Sequence, residues 1–221
     1  ISTGLAWRTL DVPGLARLRG AGVYYGAAMT EAESCRDQPI VIVGGANSAG
    51  QAAMFFSKHA RRIVMVVRGE SLARSMSHYL IEQIEDTPNI EVWTNSEVIE
   101  AHGETHLEEV SVLQREKGAT QRLAANGLFI FIGASPRTEW LDGVLPMDER
   151  GFILTGPSLS PDQSRPRGWP LDRDPYLFET AVPGVFAAGD ARHASVKRVA
   201  SGVGEGSVVV QMVHQYLEKI K

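Results

Sequence analysis

The chain has 221 residues, 43% of them hydrophobic and 22% charged, the balance of a folded globular protein rather than a disordered one. Its 22 Lys and Arg against 26 Asp and Glu leave a net charge of −4, so no basic surface is offered to nucleic acid or anionic lipid. The single cysteine, Cys35, excludes an intrachain disulfide, a Cys-x-x-Cys exchange centre and a multi-thiolate zinc site within these residues, and no apolar run approaches the roughly 18 residues of a membrane span.

In chain order, Leu10 to Gly22 is rich in Gly and Arg, carries Pro13, and reads as a connection. The apolar run Ile40-Val41-Ile42-Val43 then leads into Gly44-Gly45-Ala46-Asn47-Ser48 and a helical pattern with Ala49, Ala52, Ala53 and Phe56 on one face. A second apolar run, Ile63 to Val67, closes a βαβ unit with a right-handed crossover, and continuous β-branched runs are expected of strands buried on both faces of a parallel sheet. Helical spacing returns at Leu80, Ile81 and Ile84 and stops at Pro88; Ile90 to Trp93 is a third strand. Three short segments, Val98 to Ala101, Glu109 to Gln114 and Gln121 to Ala125, predict a β-meander, and the apolar Leu128 to Ile132 ends at Gly133. Glutamates 97, 100, 104, 108 and 109 form an acidic stretch without a balancing Lys or Arg, expected to be a solvated sheet edge. Gly156 to Pro175, with five prolines, predicts a surface loop. Val185 to Ala188 is a strand candidate before Gly189-Asp190, and the last helix carries Val208, Val209, Met212, Val213, Tyr216 and Leu217 as one apolar stripe.

Gly44 to Ala49 carries the chemistry. Against the dinucleotide fingerprint G-x-G-x-x-G/A, Gly44 stands at the tight turn, Ala49 at the helix–strand packing position, and Ala46 where a second glycine usually lies. A methyl at Ala46 is accommodated if φ stays negative there, and the free N–H groups of the helix start would attract a phosphate. The bland alternative is an ordinary glycine turn. At the end of the second strand, where an acid would hold the ribose 2′-OH of NAD, stand Val67 and Arg68; Arg68 with Arg74 suits the 2′-phosphate of NADP. His102 and His106 lack a common helical face, so no metal site is expected.

These residues, taken with several others in order, resemble the thioredoxin reductase branch of the flavin-dependent pyridine nucleotide-disulfide oxidoreductases. The resemblance rests on Ser2-Thr3-Gly4, Gly22-Val23-Tyr24-Tyr25, Gly44 to Ala49, Phe131-Ile132-Gly133 with Pro136, and Pro183 to Asp190. Lys197-Arg198-Val199 with Gly204-Glu205-Gly206 completes it, and Met76 to Leu80 is most similar to thioredoxin reductase-like proteins fused behind a regulatory nucleotide-binding domain. The resemblance implies an α/β fold: a Rossmann-like NAD(P)-binding domain with parallel sheet and β-meander, residues 22–145, flanked by partial FAD-binding segments at 1–21 and 146–221.

It further implies NADP(H) at Gly44, Gly45, Ala46, Asn47, Ser48, Ala49, Arg68 and Arg74. FAD contacts are implied at Thr3, Gly4, Gly189, Asp190, Lys197, Arg198, Val199 and Gly206, with Asp190 on the ribityl hydroxyls, and cofactor contacts also at Ile132 and Gly133. Lys197 and Arg198 stand where the family usually has Arg and Gln. The chain opens inside the family's Ala-Thr-Gly motif, with Ser2 in the alanine position, and a fragment lacking the first FAD half is expected. The family's Cys-x-x-Cys positions hold Gly26-Ala27-Ala28-Met29, so dithiol chemistry does not carry over, and one thiol at Cys35 cannot both attack and resolve a disulfide. The expectation is an NAD(P)H-dependent flavoprotein of the cytoplasm, nearer to a ferredoxin reductase than to a dithiol enzyme. It leaves open a protein electron acceptor, a homodimer, thiols outside this segment, or a redox-inactive NADP(H)-sensing module.

Overall fold

The fold, known from a computed structural model, is described for residues 1–26, 33–160 and 165–220. It divides into two compact units, Thr9–Gly133 on the one hand and Ile1–Arg8 with Ala134–Lys221 on the other.

The unit Thr9–Gly133 is built on a parallel sheet of five strands: β2 (Val23–Tyr25), β3 (Pro39–Val43), β4 (Arg62–Val66), β5 (Ile90–Trp93) and β9 (Gly127–Ile130), in the spatial order β2-β9-β3-β4-β5. Alternation along the strands sorts their side chains into two cores. Ile40, Ile42, Ile63, Met65 and Phe129 face the side covered by α2 (Asn47–Phe56) and α3 (His78–Glu85), whose Ala49, Ala53, Phe56, Leu80 and Ile84 complete that layer. Val41, Val43, Val64, Val66, Leu128 and Ile130 face the other side, shared with Val98, Val110, Val112 and Leu123 of the antiparallel meander β6 (Ser96–His102), β7 (Glu109–Gln114) and β8 (Ala119–Ala124). Both faces of the sheet are therefore covered, which is why its strands read as unbroken apolar runs.

The segment Leu10 to Gly22 is more than a connection. It forms α1 (Leu15–Leu18), because Leu15 and Leu18, three apart on one face, are buried at 3% and 1% exposure in the meander-side core, and the Pro13 carbonyl accepts the Ala101 N–H at 2.9 Å. This segment packs within the compact unit Thr9–Gly133, and the other unit resumes at Ala134. Two glutamates of the acidic stretch are paired, contrary to expectation: Arg115 pairs with Glu97 at 2.7 Å and Arg122 with Glu109 at 3.3 Å, each across a meander strand pair, a contact that local sequence cannot reveal.

In the second unit β1 (Leu5–Trp7) pairs antiparallel with β10 (Ala134–Pro136), and a small core gathers Leu141, Leu145, Ile153, Ala187 and Ala191. Among the described residues Val185 to Ala188 joins no sheet; Phe186 makes only an isolated bridge to Glu179, while the Ala188 N–H donates to the Ile1 carbonyl. Gly156 to Pro175 opens with a 3-10 turn at Gly156–Leu159. The last helix, α4 (Val199–Lys219), buries no residue fully. Val209, Met212, Val213 and Tyr216 are half-buried on one side, but Val208 and Leu217 of the expected stripe are exposed, as are Val199, Val203 and Val210. Among the described residues no helix is long and apolar enough to cross a membrane.

Candidate functional site

In the sheet unit, the sequence places a tight turn between β3 and α2, and the backbone explains each position of it. Gly44 has φ of +142°, and a Cβ there would lie 2.6 Å from the Phe131 carbonyl oxygen and 3.1 Å from the Ala49 Cβ; only glycine lets the turn close against β9 and the helix. Ala46, where a second glycine was expected to be dispensable if φ stayed negative, has φ −107° and ψ 175°, an extended conformation that carries a methyl without strain. Ala49 is fully buried in the helix–sheet core. Ala46 caps the ten-residue α2 without a side-chain hydrogen bond, so the first-turn N–H groups at Asn47 and Ser48 are claimed by no cap. An uncapped helix start behind a glycine turn suits a phosphate, through both the N–H donors and the helix dipole.

Beyond β4 the chain passes Val67, buried in the core, to Arg68 and then loops through Arg74 to α3. Arg68 and Arg74 are exposed, and among the described residues no carboxylate pairs with either guanidinium. Sequence reasoning missed the residues that tie this loop to the turn. Ser75 Oγ donates to the Gly45 carbonyl at 2.8 Å, and Asn47 Oδ1 accepts from the Ser77 N–H at 2.8 Å and from Ser77 Oγ at 3.1 Å. Asn47 was singled out, but as a turn residue; nothing in local spacing announces a partner thirty positions away.

The remaining residues expected to contact a cofactor divide between the units. Ile132 and Gly133 close the strand segment that follows β9, and Ile132 packs on the meander-side core. In the other unit, Thr3 is exposed and Gly4 accepts the Arg137 N–H at 3.1 Å beside β1. The Gly189–Ala191 turn, with Gly189 at φ +75°, presents the half-buried Asp190 carboxylate, which accepts no hydrogen bond among the described residues. Glu205 holds this turn: its Oε2 accepts the Gly189 N–H at 2.6 Å, and its Oε1 is 2.5 Å from Arg192, both side chains being about nine-tenths buried. Burial alone would raise the Glu205 pKa, but the Arg192 and Gly189 hydrogen bonds hold it below the usual carboxylate range. Lys197 Nζ donates to the carbonyls of Asp190 and Arg192, at 2.8 and 3.3 Å. Partial burial lowers its pKa; Asp190 opposes that shift and Arg192 adds to it. Lys197 thus binds the backbone of the turn, while Arg198, Val199 and Gly206 belong to the start of α4, whose cap Arg198 makes no side-chain hydrogen bond. Glu205 and Arg192 hold the turn that carries Asp190, a role motif reading left unassigned although Gly204-Glu205-Gly206 marked their neighbourhood.

Ala27, Ala28 and Met29 of the expected cysteine-pair positions lie outside the described residues. Cys35 is buried, at 1% exposure, in the core on the α2 side. No group of His, Cys, Asp and Glu among the described residues could hold a metal ion.

The family model described as pyridine nucleotide-disulphide oxidoreductase matches residues 1–206. Among characterised relatives, a thioredoxin reductase of Peptoclostridium acidaminophilum is 29% identical over 99% of the chain, and one of Streptomyces clavuligerus 32% identical over 98%. An alkyl hydroperoxide reductase component of Staphylococcus epidermidis is 26% identical over 98% of the chain. The chain spans 64%, 61% and 38% of these relatives. Of solved structures, the T. acidophilum thioredoxin reductase superposes on all of the chain with TM-score 0.74 at 25% identity, and that of Lactococcus lactis on 99% with TM-score 0.75 at 23%, a likeness of fold; in each case the chain accounts for 65% of the solved one.

Proposed function

The chain belongs to the pyridine nucleotide-disulphide oxidoreductase family, and from that membership we propose that it binds NADPH at the Gly44 turn and contributes the trailing part of an FAD site to an NAD(P)H-dependent flavoprotein oxidoreductase. The observation that carries the nucleotide reading is the uncapped start of α2 behind Gly44, with two arginines that meet no carboxylate among the described residues on the loop that follows β4. The helix start would hold the pyrophosphate, and Arg68 and Arg74 the 2′-phosphate, where an NAD site would place a carboxylate. In the other unit, Asp190 would accept from flavin hydroxyls, on a turn kept in shape by Glu205 and Lys197.

Bound FAD would supply the redox chemistry, taking hydride from NADPH and passing electrons onward. The protein's task is then alignment and exclusion of water, with no side-chain acid or base required for hydride transfer. The relatives are named as thioredoxin reductases and an alkyl hydroperoxide reductase component, but the chain has no cysteine at Gly26 to Met29 and a single, buried one elsewhere. That favours an acceptor reduced directly by the flavin, such as a one-electron protein carrier, over transfer through a dithiol of this segment. The companion part of the FAD domain belongs to a longer protein in this reading, and the exposed Val199, Val203, Val210 and Leu217 of α4 are the kind of surface such a part would cover.

Calorimetric titration with NADPH and NADH tests the proposal. The chain should bind NADPH more tightly, and Arg68→Ala should cost about 1.5–3 kcal/mol in NADPH affinity, roughly ten- to a hundredfold, while leaving NADH unchanged. Equal affinities for the two nucleotides would overturn the assignment.

A further inference from the structure

The loop that carries Arg68 and Arg74 is anchored at separate points. Leu72 and Met76 are buried, at 6% and 5% exposure, in the core beneath α2, and a Cβ on Gly50 of that helix would come within 2.9 Å of the Met76 side chain, so the loop lies directly on α2. Its polar atoms are spent on the nucleotide turn: Ser75 Oγ reaches the Gly45 carbonyl at 2.8 Å, and the Ser77 N–H and Oγ both reach Asn47 Oδ1. Arg74 therefore stands in the chain between a buried leucine and a serine whose hydroxyl is bonded to the turn itself.

The Ser77 N–H can only donate, so the atom of Asn47 that meets it is the amide oxygen, and the Nδ2 group is directed elsewhere with its donors unspent among the described residues. Asn47 is the first residue of α2, on the glycine turn. One end of its side chain is thus committed to the arginine loop and the other is available to an anion at the helix start.

We propose that Asn47, Ser75 and Ser77 form a latch that sets the preference for a 2′-phosphorylated nucleotide, by holding the Arg68–Ser77 loop in register with the phosphate-binding turn. They act as positioning residues: the guanidiniums supply the charge, and the latch fixes where it stands relative to the pyrophosphate. A flexible loop would have to pay the ordering entropy of Arg74 on each binding event, whereas a latched one has lost that freedom on folding. The effect falls on the ligand that Arg74 touches, so NADP+ loses affinity when the latch is cut and NAD+ does not. The inference rests on the proposed NADPH reading of this turn.

The experiment is calorimetric titration of the full chain with NADP+ and NAD+, in the parent protein, Ser75→Ala, the double variant Ser75→Ala/Ser77→Ala, and Ser75→Thr, with thermal unfolding of each. Removing the latch's hydroxyl bonds, with the Ser77 N–H still on Asn47, should lower NADP+ affinity on the order of tenfold, the scale of one charge-assisted contact, and leave NAD+ within about twofold. Ser75→Thr, which keeps the hydroxyl, should restore the parental ratio. An equal loss for both nucleotides, or an unchanged ratio in the folded variants, overturns the latch. If the double variant does not fold, Ser75→Ala against Ser75→Thr decides by the same ratio. A parent protein with no preference for NADP+ would instead remove the underlying reading of the site, so the two failures are told apart by the parental titration.

Discussion

At Glu179 the side chain has no exposed surface, and both oxygens are filled: Oε1 accepts from Arg173 and the Gly184 N–H at 2.8 Å each, Oε2 from Arg173 at 2.6 Å and the Tyr176 N–H at 2.9 Å. Burial would raise its pKa; the bidentate Arg173 pair and the two backbone donors outweigh that and hold it below the ordinary carboxylate range. Arg173 in turn lies 4.1 Å from the centroid of the Tyr176 ring, so the pair fastens the proline-rich segment to the turn before Gly184. Because the folded-state pKa is depressed, the stability it contributes is fully present above the unfolded value of about 4.3 and is lost as pH falls through the folded one. Thermal unfolding followed from pH 7 downward should therefore show a midpoint that declines below about pH 4.3, and Glu179→Gln should flatten this part of the acid dependence. At neutral pH the same substitution should cost about 3–5 kcal/mol, since it strands a largely buried guanidinium; a change under about 1 kcal/mol would show the pair to be dispensable. The identity of Glu179 was plain in the sequence, but its importance was not, because its partners are brought in by the fold of a loop with no periodic signal.

In the proposed reading the turn between β3 and α2 is the element on which nucleotide binding depends, and its two small residues are not equivalent. Gly44→Ala places a methyl 2.6 Å from a backbone oxygen at a positive φ, so the expected outcome is a destabilisation of about 1–3 kcal/mol with loss of NADPH binding, read by unfolding and titration. Ala46→Gly, at an extended residue, should leave NADPH affinity within a few-fold and shift stability by no more than about 1 kcal/mol. If both substitutions behave alike, the turn does not discriminate as its backbone angles indicate. Elements of this kind were readable in advance because each is a local matter: β3, α2, β4, α3, β5 and β9 show their period and their breakers within a dozen residues. Short α1 was not, since four residues bounded by Pro13-Gly14 and Gly20 carry too little pattern, and only contact with the meander-side core makes Leu15 and Leu18 a buried face.

For the molecule as a whole, the governing facts are that the chain spans 64% and 61% of the two thioredoxin reductases named above and that α4 leaves an apolar side exposed. In the proposed reading Asp190 and the start of α4 supply only part of a flavin site. The purified chain should accordingly be colourless or nearly so, with no stoichiometric flavin absorbance; a yellow preparation with one FAD per chain would mean that these residues suffice. If the chain is part of a longer flavoprotein, as proposed, that protein reduced by NADPH should reduce a dye or a one-electron carrier and should not reduce thioredoxin through thiols of this segment. Cys35→Ser tests the last point: buried at 1% exposure and without a second cysteine, Cys35 should be replaceable with no loss of NADPH-dependent dye reduction, and a severe loss in a folded variant would assign the thiol a role in electron transfer.

Composition, apolar periodicity and glycine placement by themselves determined the parallel α/β sheet, the order of its glycine turn and helix, the meander, and the cation at Arg68, because each depends on neighbours a few residues apart. Tertiary structure alone decided which groups meet across long stretches of chain. It paired Arg115 with Glu97 across the meander, seated Glu205 under Gly189, closed Arg173 on Glu179, and brought Ser75 and Ser77 to a turn thirty residues earlier. Hydrogen bonds and ion pairs of this kind act at about 3 Å and carry no period, so nothing in the spacing of residues announces them until the sheet has set the distances.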